Sequence, residues 1–171
     1  MGAEDLPRRK NIRLPNYNYS DVAAYFVTVC VKDRHEIFWQ DDVGGDAHIA
    51  PSQSNYDYSL SEYGLVVEKY IKRISGIKEY IIMPNHIHMI IRISDKRDDV
   101  GIVPYTNKQS LSQIIKSFKT LVTKELVFSI WQRSFYDRVI RSPKEYDVLA
   151  KYIYENPIKW QDDCYYQEHN L

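Results

Sequence analysis

The chain has 171 residues and a formal net charge of zero, so its size fits one domain and its overall charge indicates no partner. Two cysteines are too few for a framework of disulfide bonds. No apolar run approaches the length that crosses a membrane, and the first residues form no apolar signal segment. We therefore expect a single cytoplasmic domain, covering residues 1–171, with no membrane contact.

The first half of the chain predicts a basic arm, a strand, a long excursion and a helix. Residues 1–21 are polar and basic and form the arm, while residues 25–31 alternate β-branched and other side chains as a strand does. Residues 35–58 are polar and acidic and predict a variable excursion or hairpin. Ser61 can cap a helix that runs to about Ile74. One face of this helix carries Leu65, Val66, Tyr70 and Ile71.

Two strands and a helix follow. Residues 77–83 and 86–93 are rich in β-branched side chains and predict strands, and Pro84-Asn85 between them predicts a bend or bulge. The next apolar pattern has helical spacing and predicts one buried stripe. This stripe consists of Leu111, Ile114, Ile115, Phe118, Leu121 and Val122.

The last third predicts a strand over residues 135–140, a helix and a short acidic tail over residues 161–171. Ser142 can cap the helix, Pro143 suits its first turn, and Asn156 is expected near its end because a proline follows. Two helices linking four strands predict an α+β fold, an antiparallel sheet of the ferredoxin-like or RRM-like kind with helices packed on it.

The pair His86 and His88 is the first candidate for chemistry. Residues i and i+2 of a strand point to the same face, so the two imidazoles lie side by side while Ile87 faces a core. Neutral imidazole is a common metal ligand, and two of them make half of a metal site. A His-x-His sequence in a strand is also commonly structural, so further residues must complete the pattern.

The last predicted helix offers those residues. Val148, Tyr152 and Asn156 are spaced by four and form one row on the helix surface. If this helix packs beside the histidine strand, Asn156 can supply an amide oxygen as a third ligand, with Tyr152 beside the metal. A divalent metal can neutralise a phosphate that a tyrosine hydroxyl attacks. The alternatives are a core tyrosine and an asparagine that only ends the helix.

These segments, taken together, resemble a known family. The run Met83-Pro84-Asn85-His86-Ile87-His88 is similar to the His-hydrophobic-His motif of the single-tyrosine HUH transposases. Five further blocks resemble their REP-associated tyrosine transposase branch: residues 8–14, 17–20, 110–119, 131–141 and 152–160. The resemblance runs from about Arg8 to Trp160, nearly the whole chain.

The resemblance implies the HUH endonuclease fold, with endonuclease and strand-transfer activity on single-stranded DNA, often beside a hairpin. It implies Tyr152 as nucleophile, His86, His88 and Asn156 as metal ligands, and Mg²⁺ or Mn²⁺ as the metal. The implied product is a 5′-phosphotyrosine with a free 3′-hydroxyl. Tyr154 is the nearest rival nucleophile, but it lies roughly 200° further around the helix. Both monomers and homodimers fit the resemblance.

Basic residues form two groups that can contact DNA phosphates, with the solvated surface as the alternative for each. The candidates are Arg8, Arg9, Lys10 and Arg13 on the arm, and Lys116, Lys119, Arg133 and Arg138 in the second half.

Two other functions stay open at this point. One is a DNA-hairpin or RNA-binding module on the same fold that no longer cleaves. The other is a metalloenzyme that uses the histidine pair on small molecules, which the two basic groups argue against.

Overall fold

The structure, a computed structural model, describes residues 23–40, 59–93 and 110–166. In this part of the chain, four strands and three α-helices follow in the order β1, α1, β2, β3, α2, β4 and α3. Their bounds are Ala23–Cys30 (β1), Glu62–Ile71 (α1), Ile77–Ile82 (β2), His86–Ile93 (β3), Leu111–Leu126 (α2), Tyr136–Ile140 (β4) and Pro143–Glu155 (α3). Two 3₁₀ helices cover Lys32–Arg34 and Asn156–Asp162.

The four strands form one antiparallel sheet with the order β2-β3-β1-β4. This arrangement confirms the predicted α+β fold with helices packed on an antiparallel sheet. The two strands that are central in the sheet, β1 and β3, pair along their whole length, from Ala23 opposite Ile93 to Cys30 opposite His86.

The caps predicted for α1 and α3 are present, because the hydroxyl oxygens of Ser61 and Ser142 each accept a hydrogen bond from the backbone N–H of the third helical residue. Ser110, which the sequence did not predict as a cap, does the same for α2. Pro143 occupies the first turn of α3, where a missing N–H costs nothing.

The end and the buried side of α1 differ from the prediction. The helix ends at Ile71 rather than near Ile74, because the chain turns there towards Gly76, whose φ is 80°. Its buried positions are Gly64, Val67 and Ile71, and Leu65 is 49% exposed, so the predicted face was wrong at that position. Val67 and Ile71 are one turn apart and reach the core together.

One face of the sheet packs into the core with α1 and α2. On this face lie Tyr25, Val27 and Val29 of β1 and Ile87, Met89 and Ile91 of β3. The helices contribute Val67, Ile71, Leu111, Ile115, Phe118 and Val122. The opposite face carries the histidines, and α3 lies over it.

Among the described helices, none combines the length and the apolar character needed to cross a lipid bilayer.

The turn at Gly76 provides a test of the fold. A Cβ at this position would clash with the carbonyl oxygen of Arg92, and the positive φ disfavours any other residue. We expect Gly76→Ala to lower the free energy of unfolding by roughly 1–3 kcal/mol, measured by urea denaturation. The matched control is Ser75→Ala, at the exposed neighbouring position. Equal losses for both variants would contradict this account of the turn.

Candidate active site

The two histidines lie side by side on β3, as predicted. The Nε2 atoms of His86 and His88 are 3.0 Å apart, and their ring centroids are 4.5 Å apart. His86 is 0% and His88 is 2% exposed, while Ile87 between them is buried in the core on the other face. The strand thus presents two imidazole nitrogens to one point under α3.

Asn85 orients the ring of His86. The side-chain nitrogen of Asn85 donates to the carbonyl oxygens of Arg34 (3.3 Å) and Tyr165 (2.9 Å), so its side-chain oxygen faces His86 Nδ1 at 2.9 Å. An amide oxygen only accepts, and therefore His86 Nδ1 carries the hydrogen. In the neutral ring this leaves a lone pair on Nε2, the atom that faces His88.

Thr28 has the corresponding role for His88. Its hydroxyl lies 2.9 Å from His88 Nδ1. A hydroxyl both donates and accepts, so His88 Nδ1 can carry the hydrogen and donate it to Thr28. In that tautomer both Nε2 atoms offer lone pairs to the same point, which is the arrangement that a metal ion requires.

Burial keeps both imidazoles neutral. It lowers the pKa of His86 to about 3, with a smaller contribution from the charge of Arg34. Burial also lowers the pKa of His88 well below its ordinary value; the charge of His86 adds to this effect, and the Asp163 carboxylate opposes it. Near neutral pH both rings therefore have lone pairs to offer.

Tyr152 reaches this pair from α3. Its hydroxyl lies 3.4 Å from His88 Nε2 and donates a hydrogen bond of 3.2 Å to an oxygen of the Asp163 carboxylate. The side chain is 41% exposed, so a substrate can reach it. Burial, with a smaller contribution from the Asp163 carboxylate, raises the pKa of Tyr152 to about 12, and the nearby Asn156 amide opposes this rise. Because the hydroxyl keeps its proton, it needs an acceptor before it can attack.

Asp163 is the site residue that the sequence did not predict. It follows the 3₁₀ helix Asn156–Asp162, and its carboxylate forms a cluster with both histidines in which all potential ligand atoms lie within 4.8 Å of one another. One carboxylate oxygen also accepts a hydrogen bond of 2.7 Å from the backbone N–H of Tyr165, which holds it in place. In the sequence its signal was only an acidic tail.

Asn156 lies where α3 continues into the 3₁₀ helix, and it is 3% exposed. Its amide lies next to the Tyr152 hydroxyl, whose pKa it lowers, and has no other partner within the described part of the chain. Buried amides normally have full sets of partners, so its oxygen can serve as a ligand for a cation. Two imidazoles, a carboxylate and an amide oxygen are ligands that suit a divalent ion. The third-ligand role of Asn156 stays a prediction.

The predicted DNA contacts that the structure describes have different surroundings. Arg8, Arg9, Lys10 and Arg13 lie outside the described residues. Lys116 is exposed on α2, and Arg133 is exposed between α2 and β4. Arg138 forms an ion pair of 2.7 Å with Glu145.

Lys119 is engaged inside the protein. Its ammonium group donates to the carbonyl oxygens of Gln132 (2.8 Å) and Ser134 (2.7 Å), and burial lowers its pKa to about 8. The structure therefore gives Lys119 a role in fixing the segment before β4, whereas its predicted contact with DNA stays untested.

The neutral histidines make stability depend on pH. In the unfolded chain a histidine takes up a proton near pH 6.5, whereas folded His86 does so only near pH 3. The unfolded state therefore binds more protons between these values. We expect the free energy of unfolding of the metal-free protein to fall, as pH is lowered from 6.5, by up to about 1.4 kcal/mol per pH unit for each histidine.

Urea denaturation between pH 7.5 and pH 5 measures how steeply the free energy of unfolding depends on pH. His86→Gln should make this dependence shallower, and the control His35→Gln, at an exposed position, should leave it unchanged. An equal pH dependence in the wild type and in His86→Gln would contradict a buried, neutral His86.

Comparisons with known proteins agree with this fold. Residues 20–156 match the family described as "Transposase IS200 like". An uncharacterised protein of Haemophilus influenzae is 31% identical over 182 aligned positions, which cover 94% of each chain. A second protein of that organism, named as a candidate REP-associated tyrosine transposase, is 26% identical and covers 85% of this chain and 77% of its own.

A solved structure has the same fold. It is described as a REP-associated tyrosine transposase bound to a REP hairpin, and it superposes with a TM-score of 0.57 at 19% identity. The match covers 86% of this chain and 74% of the other. Together with the family match over residues 20–156, these relatives show that the chain belongs to the IS200-like transposase family.

Proposed function

We propose that this protein is a metal-dependent endonuclease and strand transferase of single-stranded DNA that forms a covalent bond through Tyr152. The observation that carries the proposal is the position of the Tyr152 hydroxyl, which lies beside both the Asp163 carboxylate and His88 Nε2. An ordinary core tyrosine would not be 41% exposed at a cluster of potential metal ligands.

The metal would be Mg²⁺ or Mn²⁺, held by His86, His88 and Asp163. The buried amide oxygen of Asn156, which lies next to the Tyr152 hydroxyl, is a further ligand. When bound, such an ion polarises the non-bridging oxygens of a phosphodiester. Asn85 and Thr28 support the site by holding the imidazoles in the orientation that directs both Nε2 atoms to one point.

Tyr152 is the nucleophile and Asp163 is the acceptor of its proton. The hydroxyl oxygen attacks the phosphorus atom, its proton passes to the carboxylate that already accepts its hydrogen bond, and the bond from phosphorus to the 3′-oxygen breaks. The departing 3′-oxygen takes up a proton from solvent water and becomes a free 3′-hydroxyl, while Asp163 returns its proton to the solvent. The 5′-phosphate stays on Tyr152 until another 3′-hydroxyl displaces it, which completes strand transfer.

The substrate is single-stranded DNA beside a hairpin. Two observations support this choice, namely the membership of the chain in a transposase family and the solved relative that is described as bound to a REP hairpin.

A covalent adduct tests the proposal. Labelled single-stranded hairpins from the flanks of the gene are incubated with the protein and Mn²⁺ or Mg²⁺, and the products are separated on a denaturing protein gel. We expect a labelled adduct with the wild type, none with Tyr152→Phe, and none with the wild type when a chelator removes the metal. Tyr152→Phe should still bind the hairpin, because only the nucleophilic oxygen is lost.

The matched control is Tyr154→Phe, on the same helix, which should form the adduct as the wild type does. An adduct that survives Tyr152→Phe would overturn the assignment of the nucleophile. Tight hairpin binding by the wild type without any adduct would favour a binding module that does not cleave.

A further inference from the structure

A cleft of about 510 Å³ lies beside the candidate active site, between the end of β1 and the start of β4. Its volume is within the roughly 300–1,000 Å³ that is usual for small-ligand sites. The catalytic scheme above assigns no task to this cleft. The side chains that define its chemistry are Lys32, Arg34, Trp131, Arg133, Tyr136 and Tyr165.

The walls of the cleft are basic. Lys32, Arg34 and Arg133 line it, with Asp33 as the one acidic lining residue. Lys32 and Arg133 are exposed, and neither forms an ion pair with any residue that the structure describes. Two cations that no described carboxylate neutralises can bind a phosphate group.

Aromatic rings supply the rest of the lining. Tyr136, at the start of β4, is 44% exposed and can offer a face to a planar ring. Trp131 is 7% exposed and its indole N–H donates to the carbonyl oxygen of Lys119, so it forms the floor. An exposed aromatic ring near free cations is the pattern that binds an unpaired nucleotide, because the base stacks while the cations contact its phosphate.

The cleft shares a wall with the candidate active site. Tyr165 lines the cleft, and its ring centroid lies 4.5 Å from that of His86. Asn85, which orients His86, also donates to the backbone carbonyl oxygens of Arg34 and Tyr165. The histidine pair and the cleft therefore lie on either side of Tyr165, close enough for neighbouring nucleotides of one strand to occupy both.

The backbone at the cleft is strained. Asp33 and Arg34 have φ values of 54° and 58°, in the left-handed region that residues with a side chain rarely adopt. The strained turn places Arg34 over the ring of Tyr165, with 5.2 Å between the guanidinium carbon and the ring centroid. Strain of this kind occurs most often where a chain is shaped for a ligand.

We propose that this cleft binds one unpaired nucleotide next to the phosphodiester that Tyr152 attacks. The base stacks on Tyr136, and Lys32 and Arg133 contact the adjoining phosphate. This assignment rests on the proposed function and extends it, because the cleft then selects which phosphodiester of the single strand reaches Tyr152.

Fluorescence anisotropy with labelled DNA and a metal chelator tests the assignment without cleavage. The probes are a hairpin with a single-stranded extension and the same hairpin without it. For the extended probe, we expect Tyr136→Ala to weaken binding roughly 5- to 150-fold, the range of one lost stacking contact, and Tyr136→Phe to retain it. Lys32→Ala with Arg133→Ala should weaken binding and reduce its dependence on salt.

Two matched control variants lie on the helices that cover the opposite face of the sheet. Tyr63→Ala on α1 and Lys124→Ala on α2 remove an exposed aromatic ring and an exposed cation, and both should bind as the wild type does. Circular dichroism melting of each variant shows whether it is folded.

The assignment fails if Tyr136→Ala binds the extended probe as the wild type does, or if it loses affinity equally for the hairpin without an extension. The adduct experiment gives an independent result. Suppose that Tyr136→Ala binds the extended probe as the wild type does, forms the adduct and cleaves at the same position. This result overturns the nucleotide-binding role of the cleft and leaves the proposed chemistry intact. Suppose instead that Tyr136→Ala loses affinity for the extended probe only, while the wild type forms no adduct. This result supports nucleotide binding in the cleft and overturns the proposed chemistry.

Discussion

Side chains alternate along β3, and this one strand must therefore serve both the core and the candidate site. Ile87, Met89 and Ile91 point into the core formed with α1 and α2, while His86 and His88 point to the other face. A shift of one residue in its pairing with β1 would exchange the two sets. The core thus fixes the register, and the register fixes the position of both imidazoles.

The other parts of the site depend on this arrangement. Because α1 and α2 occupy the core face, α3 lies on the histidine face and brings the Tyr152 ring to 5.3 Å from the His88 ring. The chain then continues through Asn156–Asp162 and returns over the histidines, which it covers with Asp163 and Tyr165. This cover excludes water, so the imidazoles stay neutral and retain the lone pairs that metal binding needs.

The sequence predicted the parts of the molecule that depend on local patterns. The order of the elements, the caps Ser61 and Ser142 and the shared face of His86 and His88 follow from periodicity and helix-start signals. Asp163 could not be predicted in this way, since it reaches the histidines only through a turn after the last helix. The engagement of Lys119 with two backbone carbonyls was equally hidden, because it depends on where a loop from another part of the chain packs.

Metal binding in the absence of DNA tests most directly whether the buried histidine pair is a metal centre. Mn²⁺ is titrated into the protein and followed by electron paramagnetic resonance, with wild type, His88→Ala and, as a control, the exposed His35→Ala. The account predicts one bound ion per chain in wild type and His35→Ala, and affinity at least about tenfold weaker in His88→Ala. Absence of binding in the wild type, or equal affinity in His88→Ala, would contradict it.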